Sequence, residues 1–195
     1  IPHNILKNLY VYLKQRVITS KTNFQRQKAE RNLLIVSLLL STGIRISELC
    51  HIQIKNINLQ NQTLHILGKG KKERIIFLGD ETTVLLLKTY LANYCKQSDK
   101  YLFPGKISQK PLTEQSVRLV LKTVREQMNL ANSITPHMFR HSFATMLLDN
   151  NVDIRYIQQI LGHSSISITQ IYTHVSQSKQ KEILTSYNPI ASIHT

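Results

Sequence analysis

The sequence predicts an α+β fold, a mostly helical domain with one small antiparallel sheet of about three strands. Apolar residues recur at helical spacing in both halves of the chain, whereas two β-rich runs between residues 64 and 77 flank a glycine-containing turn. The 195 residues, 42% of them hydrophobic, suffice for one folded domain with its own core. We therefore predict a single domain over residues 1–195.

The first half of the chain predicts two helices and then the sheet. Residues 33–40 are almost continuously apolar and predict a buried helix. This helix follows a polar, charged stretch and ends at Gly43, a residue typical of helix C-termini. A short helix near residues 47–51 comes next. The predicted strands that follow span residues 56–59, 64–67 and 74–77.

The second half predicts helices whose starts are marked by capping residues. Residues 82–94 carry apolar side chains at helical spacing. Thr113 is a favoured N-cap for a helix that runs to about residue 128, and Thr135 followed by Pro136 begins another. The remaining predicted elements are a short helix over 153–161 that Gly162 closes, a helix from Ser164 or Ser165 that carries Tyr172, and a polar tail over 176–195.

The charge of the chain predicts a polyanionic partner. Lys and Arg total 25 against 11 acidic residues, a net charge of +14, which favours nucleic acid or an anionic membrane surface over a merely soluble basic protein. The longest apolar run, residues 33–40, is far shorter than the ~20 residues that span a bilayer, and no signal peptide is visible. We expect no membrane partner and a cytoplasmic location.

Cofactor sites are not indicated by the sequence. Cys50 and Cys95 have neither CxxC spacing nor a nearby histidine pair, so we expect no zinc, and two cysteines fit a reducing compartment. No carboxylate cluster suggests paired magnesium ions. The run Gly68-Lys69-Gly70-Lys71 is too short for a phosphate-binding Walker loop and lies in the predicted hairpin. We therefore expect a protein that works without a cofactor.

Short polar motifs occur at intervals along the chain, and each of them alone has an ordinary structural explanation. Arg45 could bond the last carbonyls of a helix, Lys69 could be a solvated turn residue, and Tyr172 could lie at the edge of the core. The motifs in chain order are Thr42-Gly43-Ile44-Arg45-Ile46-Ser47-Glu48-Leu49, Gly68-Lys69-Gly70, His137-Met138-Phe139-Arg140-His141, Leu161-Gly162-His163 and Ile171-Tyr172-Thr173-His174.

Taken together, these motifs resemble the tyrosine recombinases, which include phage integrases and Xer-type recombinases. The family pattern is an Arg in Gly-x-Arg-x-Ser-Glu, a Lys on a β-hairpin, His-x-x-Arg, Leu-Gly-His and then a Tyr. The spacing is also similar, with 24 residues from Arg45 to Lys69, 23 from Arg140 to His163 and 9 from His163 to Tyr172. Six matches in order make coincidence improbable. The matching residues are Arg45, Lys69, His137, Arg140, His163 and Tyr172.

The resemblance implies an enzyme that cleaves and rejoins double-stranded DNA through a 3′-phosphotyrosyl intermediate. Arg45 and Arg140 would neutralise the phosphodiester, because guanidiniums offer fixed, forked donors. Tyr172 would be the nucleophile and His137 the base that takes its proton. By resemblance, Lys69 would protonate the leaving 5′ oxygen, and His163 would donate to a non-bridging oxygen.

Further residues are expected to support this set. Glu48, one turn beyond Arg45, is predicted to orient a basic side chain of the active site, with a plain surface glutamate as the alternative. Basic residues on the hairpin and beside His137 are predicted to contact DNA. These are Lys71, Lys72, Arg74 and His141.

The resemblance also implies how such a domain would assemble. Family members carry a separate helical DNA-binding domain before this one, and the roughly 25 residues before the first strong helix are too few for it. We expect a homotetramer on paired DNA sites in the nucleoid, with the tail over residues 176–195 exchanged between copies. The alternatives are a type IB topoisomerase-like strand transferase and a basic module that binds DNA without cutting it. The outcome of the reaction, for example integration of a mobile element, is left open.

Overall fold

The computed structural model describes residues 1–67, 73–96, 98–105, 110–162 and 177–194. The tip of the predicted hairpin and the predicted helix that carries Tyr172 lie outside these ranges. Within the described residues, the chain folds into α-helices around one antiparallel sheet of three strands, which confirms the fold class predicted from the sequence. The helices and strands are α1 His3–Ile18, α2 Asn23–Thr42, α3 Ile46–Cys50, β1 Ile57–Asn58, β2 Thr63–Leu67, β3 Glu73–Phe77, α4 Glu81–Tyr94, α5 Glu114–Gln127, α6 Pro136–Asp149, α7 Ile154–Leu161, α8 Gln177–Ser186 and α9 Ala191–His194.

Helix α2 is the centre of the core. Every residue in its second half, from Leu33 to Thr42, is buried, and the helix packs against α1, α4 and α6. The helix begins ten residues earlier than the apolar run predicts, because the Thr22 hydroxyl accepts a hydrogen bond from the Gln25 backbone N–H and caps it. The polar stretch before residue 33 is therefore the exposed half of the same helix.

Helix α1 was not predicted from the sequence. It buries Leu6, Leu9, Tyr10 and Leu13 against the core, while Val11 on its outer face is exposed. These four residues follow the i, i+3, i+4, i+7 spacing of a helix face. The periodicity is therefore present in the sequence, but Val11 and Tyr12 beside the buried positions make the stripe less distinct.

The sheet places its two faces on different parts of the core. Strand β2 pairs antiparallel with β1 and with β3, and Ile66 lies opposite Arg74. Because side chains alternate along a strand, Arg74 shares its face with buried Ile76, whereas Phe77 belongs to the other face. The side chain of Arg74 is therefore directed inward and not along the solvent-exposed side of the hairpin.

A second, smaller core lies beside the first. It joins the other face of β3 to helices α6, α7 and α8. Gly43, at the end of α2, lies at the border between the two cores, since a Cβ there would come within 2.6 Å of Phe143 and 2.7 Å of Leu161. The buried members of this second core are Phe77, Phe143, Leu147, Val152, Ile157, Ile160, Leu161, Ile183 and Leu184.

The C-terminal tail folds back onto its own chain. Ile183 and Leu184 of α8 are buried in the second core, whereas Tyr187 remains 46% exposed. The carbonyl of Leu184 approaches Gly79 so closely that any Cβ at Gly79 would overlap it. Farther along, the Asn188 side-chain amide donates to the Ser41 carbonyl at 3.3 Å. The tail is thus anchored between Ile183 and Asn188.

Near the end of the tail, His194 contacts Asp80, which is the N-cap of α4. His194 Nε2 lies 3.3 Å from Asp80 Oδ2, which also accepts a 2.6 Å hydrogen bond from the Thr83 backbone N–H. Burial alone raises the pKa of Asp80, but the hydrogen bonds from His194 and Thr83 outweigh burial and hold this pKa below its ordinary value. The last turn of the tail is therefore held by a charged carboxylate.

The packing of α1 can be tested with a matched pair of substitutions. We expect Leu9→Ala to lower the free energy of unfolding by about 2–5 kcal/mol, because it leaves a cavity in the main core. Val11→Ala, on the exposed face of the same helix, should change it by less than about 0.5 kcal/mol. Urea unfolding of both variants measures the difference. Equal effects would mean that α1 is not packed as described.

Candidate active site

The site is built where two helices end in the left-handed conformation. Helix α2 ends at Gly43 with φ 59°, and α7 ends at Gly162 with φ 67°. Glycine suits both positions, because a residue with a Cβ is strained there. The last carbonyls of a helix have no partner within the helix and carry the negative end of its dipole, so each end offers acceptors to a cation.

Arg140 binds both helix ends. Its Nη1 donates to the Gly43 carbonyl at 2.8 Å and its Nη2 donates to the Leu161 carbonyl at 2.8 Å. Helix α6 positions this side chain from the side of the second core, where Arg140 is only 9% exposed. The guanidinium therefore fixes the ends of α2 and α7 relative to α6.

Arg45 also binds the end of α7 and remains partly exposed to solvent. Its Nη2 donates to the Gly162 carbonyl at 3.1 Å, which is the ordinary capping contact that the sequence left open for this residue. Its side chain is nevertheless 41% exposed. Arg45 can therefore cap α7 and still present donors to a ligand.

Glu48 lies between two guanidiniums. Glu48 Oε1 accepts from Arg45 Nη1 at 3.2 Å and from Arg74 Nη1 at 2.7 Å, and Glu48 Oε2 accepts from Arg74 Nη2 at 3.0 Å. Oε2 also accepts from the Arg45 backbone N–H at 2.9 Å, which caps the start of α3. These four bonds occupy the acceptor sites of the carboxylate, so Glu48 serves to orient its neighbours and not as a base.

The cluster carries more positive charge than its single carboxylate balances. Burial and, after it, the positive charges of Arg45 and Arg74 together lower the pKa of Arg140 to about 10, against a smaller opposing effect of Glu48. Three guanidiniums facing one carboxylate favour an additional anion. A phosphate suits such a cluster, because guanidinium donors match its oxygen atoms in spacing and charge.

The other predicted site residues divide into two groups. His137 and His141 lie on α6, both exposed, with His137 one turn before Arg140. The remaining predicted residues fall outside the described ranges, so their placement stays a prediction. These are Lys69, Lys71, Lys72, His163 and Tyr172.

Sequence reasoning missed the pairing of Arg74 with Glu48. Arg74 was grouped with the DNA contacts because it follows the basic hairpin, yet the structure places its guanidinium on Glu48, with only 17% of the side chain exposed. The available signal was strand alternation, since Arg74 shares its face with Ile76 and not with the exposed Glu73. Glu48 itself was predicted to orient a basic side chain, and it contacts two.

The described part of the chain contains neither a metal-binding cluster nor a membrane-spanning helix. No group of three or more His, Cys, Asp or Glu side chains there is arranged to hold a metal ion. Among the same residues, no helix is long and apolar enough to cross a bilayer.

Comparison with known proteins assigns the chain to a family. The model of the phage integrase family matches residues 11–179, which is most of the chain and includes every residue of the site. The chain belongs to the phage integrase family. The resemblance predicted from the five polar motifs is thereby confirmed at the level of the family.

Curated relatives and solved structures agree with this assignment. A tyrosine recombinase of Agathobacter rectalis is 48% identical over 190 residues, covering 96% of this chain and 61% of the relative. Tyrosine recombinase XerD of Staphylococcus saprophyticus is 39% identical over 173 residues, covering 87% of this chain and 58% of the relative. The chain therefore spans about 60% of the length of these relatives.

Among solved structures, the XerA recombinase superposes with a TM-score of 0.67 at 30% identity, covering 94% of this chain and 63% of that protein. The XerH site-specific recombinase, bound to its difH substrate in a pre-cleavage complex, gives a TM-score of 0.67 at 27% identity, covering 87% of this chain and 48% of that protein. The fold described above is therefore the fold of these recombinases.

The anion affinity of the cluster can be measured directly. We expect inorganic phosphate to stabilise the protein, by about 1.4 kcal/mol at ten times its dissociation constant. Arg140→Lys should weaken phosphate binding by roughly tenfold, because one ammonium cannot hold both helix ends with a fixed fork. Thermal unfolding across a phosphate titration gives both values.

The control for Arg140→Lys is Arg118→Lys. Arg118 pairs with Glu114 on α5 at 2.7 Å, with about half of its side chain exposed. Phosphate should stabilise this variant as it does the parent chain. Equal phosphate affinity in Arg140→Lys and Arg118→Lys would contradict an anion site at Arg140.

Proposed function

We propose that this chain is the catalytic part of a tyrosine site-specific recombinase that cleaves and rejoins double-stranded DNA. The observation that carries the proposal is the cluster of Arg45, Arg74 and Arg140 around one saturated carboxylate. Such a cluster suits a phosphodiester, whose negative charge otherwise repels a nucleophile. Membership of the phage integrase family supports the same reaction, as does the name of each relative reported above.

In the proposed reaction, the Tyr172 oxygen attacks a DNA phosphorus atom and forms a phosphotyrosyl bond. The bond from phosphorus to the 5′ oxygen breaks, and the leaving oxygen takes a proton from Lys69. His137 accepts the proton of the Tyr172 hydroxyl, whose ordinary pKa near ~10 keeps it protonated at neutral pH. His163 donates to a non-bridging oxygen. The phosphotyrosyl bond retains the energy of the broken linkage, so rejoining needs no nucleotide cofactor.

Arg45 and Arg140 act on the phosphate in this scheme. Both are held in place before DNA binds, Arg140 by two carbonyls and Arg45 by Glu48 and the Gly162 carbonyl. Donors that are already oriented need no reorganisation as charge develops on the phosphate oxygens, and this preorganisation is the main source of rate enhancement at such sites. We expect the protein to act on DNA of the nucleoid, where Lys71, Lys72 and His141 would contact the backbone.

The decisive experiment is to trap the covalent intermediate. The substrate is a pool of duplexes with a randomised central sequence and a nick near the candidate cleavage position. Cleavage releases the small fragment beside the nick, so the strand cannot be rejoined and the protein remains attached. We expect the chain to form an adduct that survives denaturing electrophoresis, and Tyr172→Phe to form none, because only the nucleophilic oxygen is removed. DNA affinity should stay within about twofold in this variant, since the ring and its packing are kept.

The outcome also separates the competing functions. An adduct at Tyr172 with two-site recombination supports the proposal, whereas an adduct with relaxation of supercoiled DNA alone would indicate a topoisomerase-like strand transferase. An unchanged adduct in Tyr172→Phe would show that another residue is the nucleophile. DNA binding with no adduct in either variant would indicate a module that binds DNA without cutting it.

We further propose that the tail joins neighbouring copies when four chains assemble on paired DNA sites. The supporting observation is that the tail occupies a defined seat formed by Gly79, Asp80 and Ser41 together with the second core. A seat that accepts this segment from its own chain has the same shape for the tail of a neighbour. Exchange around a closed ring is a heterologous interface, which requires each copy to donate and to accept one tail.

A complementation experiment tests this exchange. Gly79→Ala closes the seat but keeps the tail, and deletion of residues 178–195 removes the tail but keeps the seat. If tails are exchanged, a mixture of the two variants should form pairs on DNA, in which a Gly79→Ala copy donates its tail to a truncated copy, whereas neither variant should pair alone. Analytical ultracentrifugation on DNA measures assembly. A mixture that behaves as the sum of its components would show that the tail acts only within its own chain.

A further inference from the structure

Arg74 is the one guanidinium of the cluster that is engaged by Glu48 through both of its terminal nitrogens. The two distances, 2.7 Å and 3.0 Å, describe a parallel fork between guanidinium and carboxylate. The side chains are 17% and 5% exposed, so the pair is largely shielded from water. A fork of this kind fixes the plane of the carboxylate as well as its position.

The geometry points to Arg74 as a positioning residue that holds Glu48 in place and thereby leaves Arg45 able to bind phosphate. This inference rests on the proposed function, in which Arg45 contacts the DNA phosphate. The Arg45 side chain donates to Glu48 from one terminal nitrogen only, with 3.2 Å between Nη1 and Oε1, and it is 41% exposed. The Glu48 carboxylate therefore accepts two hydrogen bonds from the guanidinium of Arg74 and only one from the guanidinium of Arg45.

The charge of Arg74 explains how it keeps Arg45 available to phosphate. Without Arg74, the buried Glu48 carboxylate would retain Arg45 as its charged partner, and a buried carboxylate with unsatisfied acceptors strongly favours a second contact. Arg45 would then turn both terminal nitrogens toward Glu48. The net charge of the four side chains Arg45, Glu48, Arg74 and Arg140 would also fall from two positive charges to one.

The surroundings of Arg74 suit this positioning role. Its guanidinium lies against the backbone of Gly162, where a Cβ would come 2.7 Å from Arg74 Nη1. Gly162 is the residue whose carbonyl accepts from Arg45, and it directly precedes His163 in the sequence. Strand β3 brings Arg74 to this point. Arg74 is thus the contact between the hairpin, α3 and the end of α7.

The test compares three variants of the full chain, Arg74→Met, Glu48→Gln and the double variant. Two quantities are measured in each, the single-turnover rate of adduct formation on the nicked duplex recovered from trapping, and the affinity for inorganic phosphate by calorimetry. We expect Arg74→Met to slow adduct formation by about 10- to 100-fold, since a displacement of about 1 Å at a reacting group has effects of this size. Phosphate affinity should fall with it.

The double variant provides the decisive test. Replacing Glu48 by Gln in the Arg74→Met chain removes the charge that captures Arg45 and restores two positive charges to the cluster. We expect it to recover at least about tenfold of the lost rate and most of the phosphate affinity. No recovery in either quantity would overturn the proposal. A recovery no larger than the gain that Glu48→Gln gives by itself would also overturn it, because removing a carboxylate favours an anion whether or not Arg45 is released.

Salt dependence separates positioning from a direct DNA contact. An arginine that neutralises a phosphate contributes roughly 0.9 to the slope of log affinity against log salt. Arg74→Met should lower this slope by about one unit, because Arg45 is lost to Glu48, and the double variant should restore it. A slope that stays low in the double variant would assign Arg74 to the DNA backbone. Arg118→Met is the control for removing one positive charge and should retain the parent rate of adduct formation.

Should Arg74→Met fail to fold at the assay temperature, Arg74→Lys replaces it, because one ammonium cannot hold both carboxylate oxygens.

The two measurements keep this inference distinct from the proposed function. If the parent chain forms no adduct, the proposed reaction is wrong, and the phosphate affinities of the same variants still decide whether Arg74 keeps Arg45 available. If the parent chain forms an adduct and the variants keep the parent rate, the proposed reaction stands and the role of Arg74 is wrong.

Discussion

The arrangement of the site depends on one buried guanidinium that joins two helix ends. Arg140 donates to the carbonyls of Gly43 and Leu161, which lie 97 and 21 residues away from it in the sequence. A buried charge is costly unless it is hydrogen-bonded, and helix C-termini supply acceptors that would otherwise lack partners. The same two contacts therefore satisfy the charge, cap the helices and bring α2, α6 and α7 to one place.

This constraint explains the choice of residues around it. Both helices must end abruptly so that their last carbonyls turn toward the arginines, and the left-handed conformation at Gly43 and Gly162 provides that turn. At Gly43 there is also no space for a side chain between Phe143 and Leu161. The incomplete neutralisation of Arg140 by carbonyl dipoles, with Arg45 and Arg74 close by, leaves the cluster with a positive field that an anion would complete.

Much of the fold follows from the sequence because its signals are local. Capping residues such as Thr113 and Thr135 mark helix starts that the structure reproduces, and the paired β-rich runs give the hairpin. Helix α1 was missed because Val11 and Tyr12 interrupt the pattern of its buried face, and the start of α2 was placed late because its first half faces solvent. The first error left four residues of α1 out of the predicted core, whereas the apolar run over residues 33–40 identifies the centre of that core.

The candidate site is only partly predictable, because its geometry is a tertiary property. The sequence identifies Arg45, Glu48 and Arg140 as members, each from a motif with its own spacing. It does not show that Arg140 binds Gly43 across 97 residues, or that Arg74 reaches Glu48 across 26. Such pairings arise only in the folded chain, when α6 packs against α2 and when β3 brings Arg74 to Glu48. The spacing of residues along the sequence does not give these distances. Strand alternation gives the direction of Arg74 but not its partner.

The tail and the site share one packing unit, and this has a consequence for assembly. Leu161, whose carbonyl accepts from Arg140, lies in the second core with Ile183 and Leu184 of the tail and with Phe77 of β3. Phe77 and Arg74 are on the same short strand, so a displacement of the tail would be transmitted to the residue that holds Glu48. Close-packed cores resist gradual deformation and shift between discrete arrangements. If a neighbouring chain supplies the tail, as proposed, then completing this core would also set the guanidinium cluster, and an active site would form only in a copy whose seat is filled.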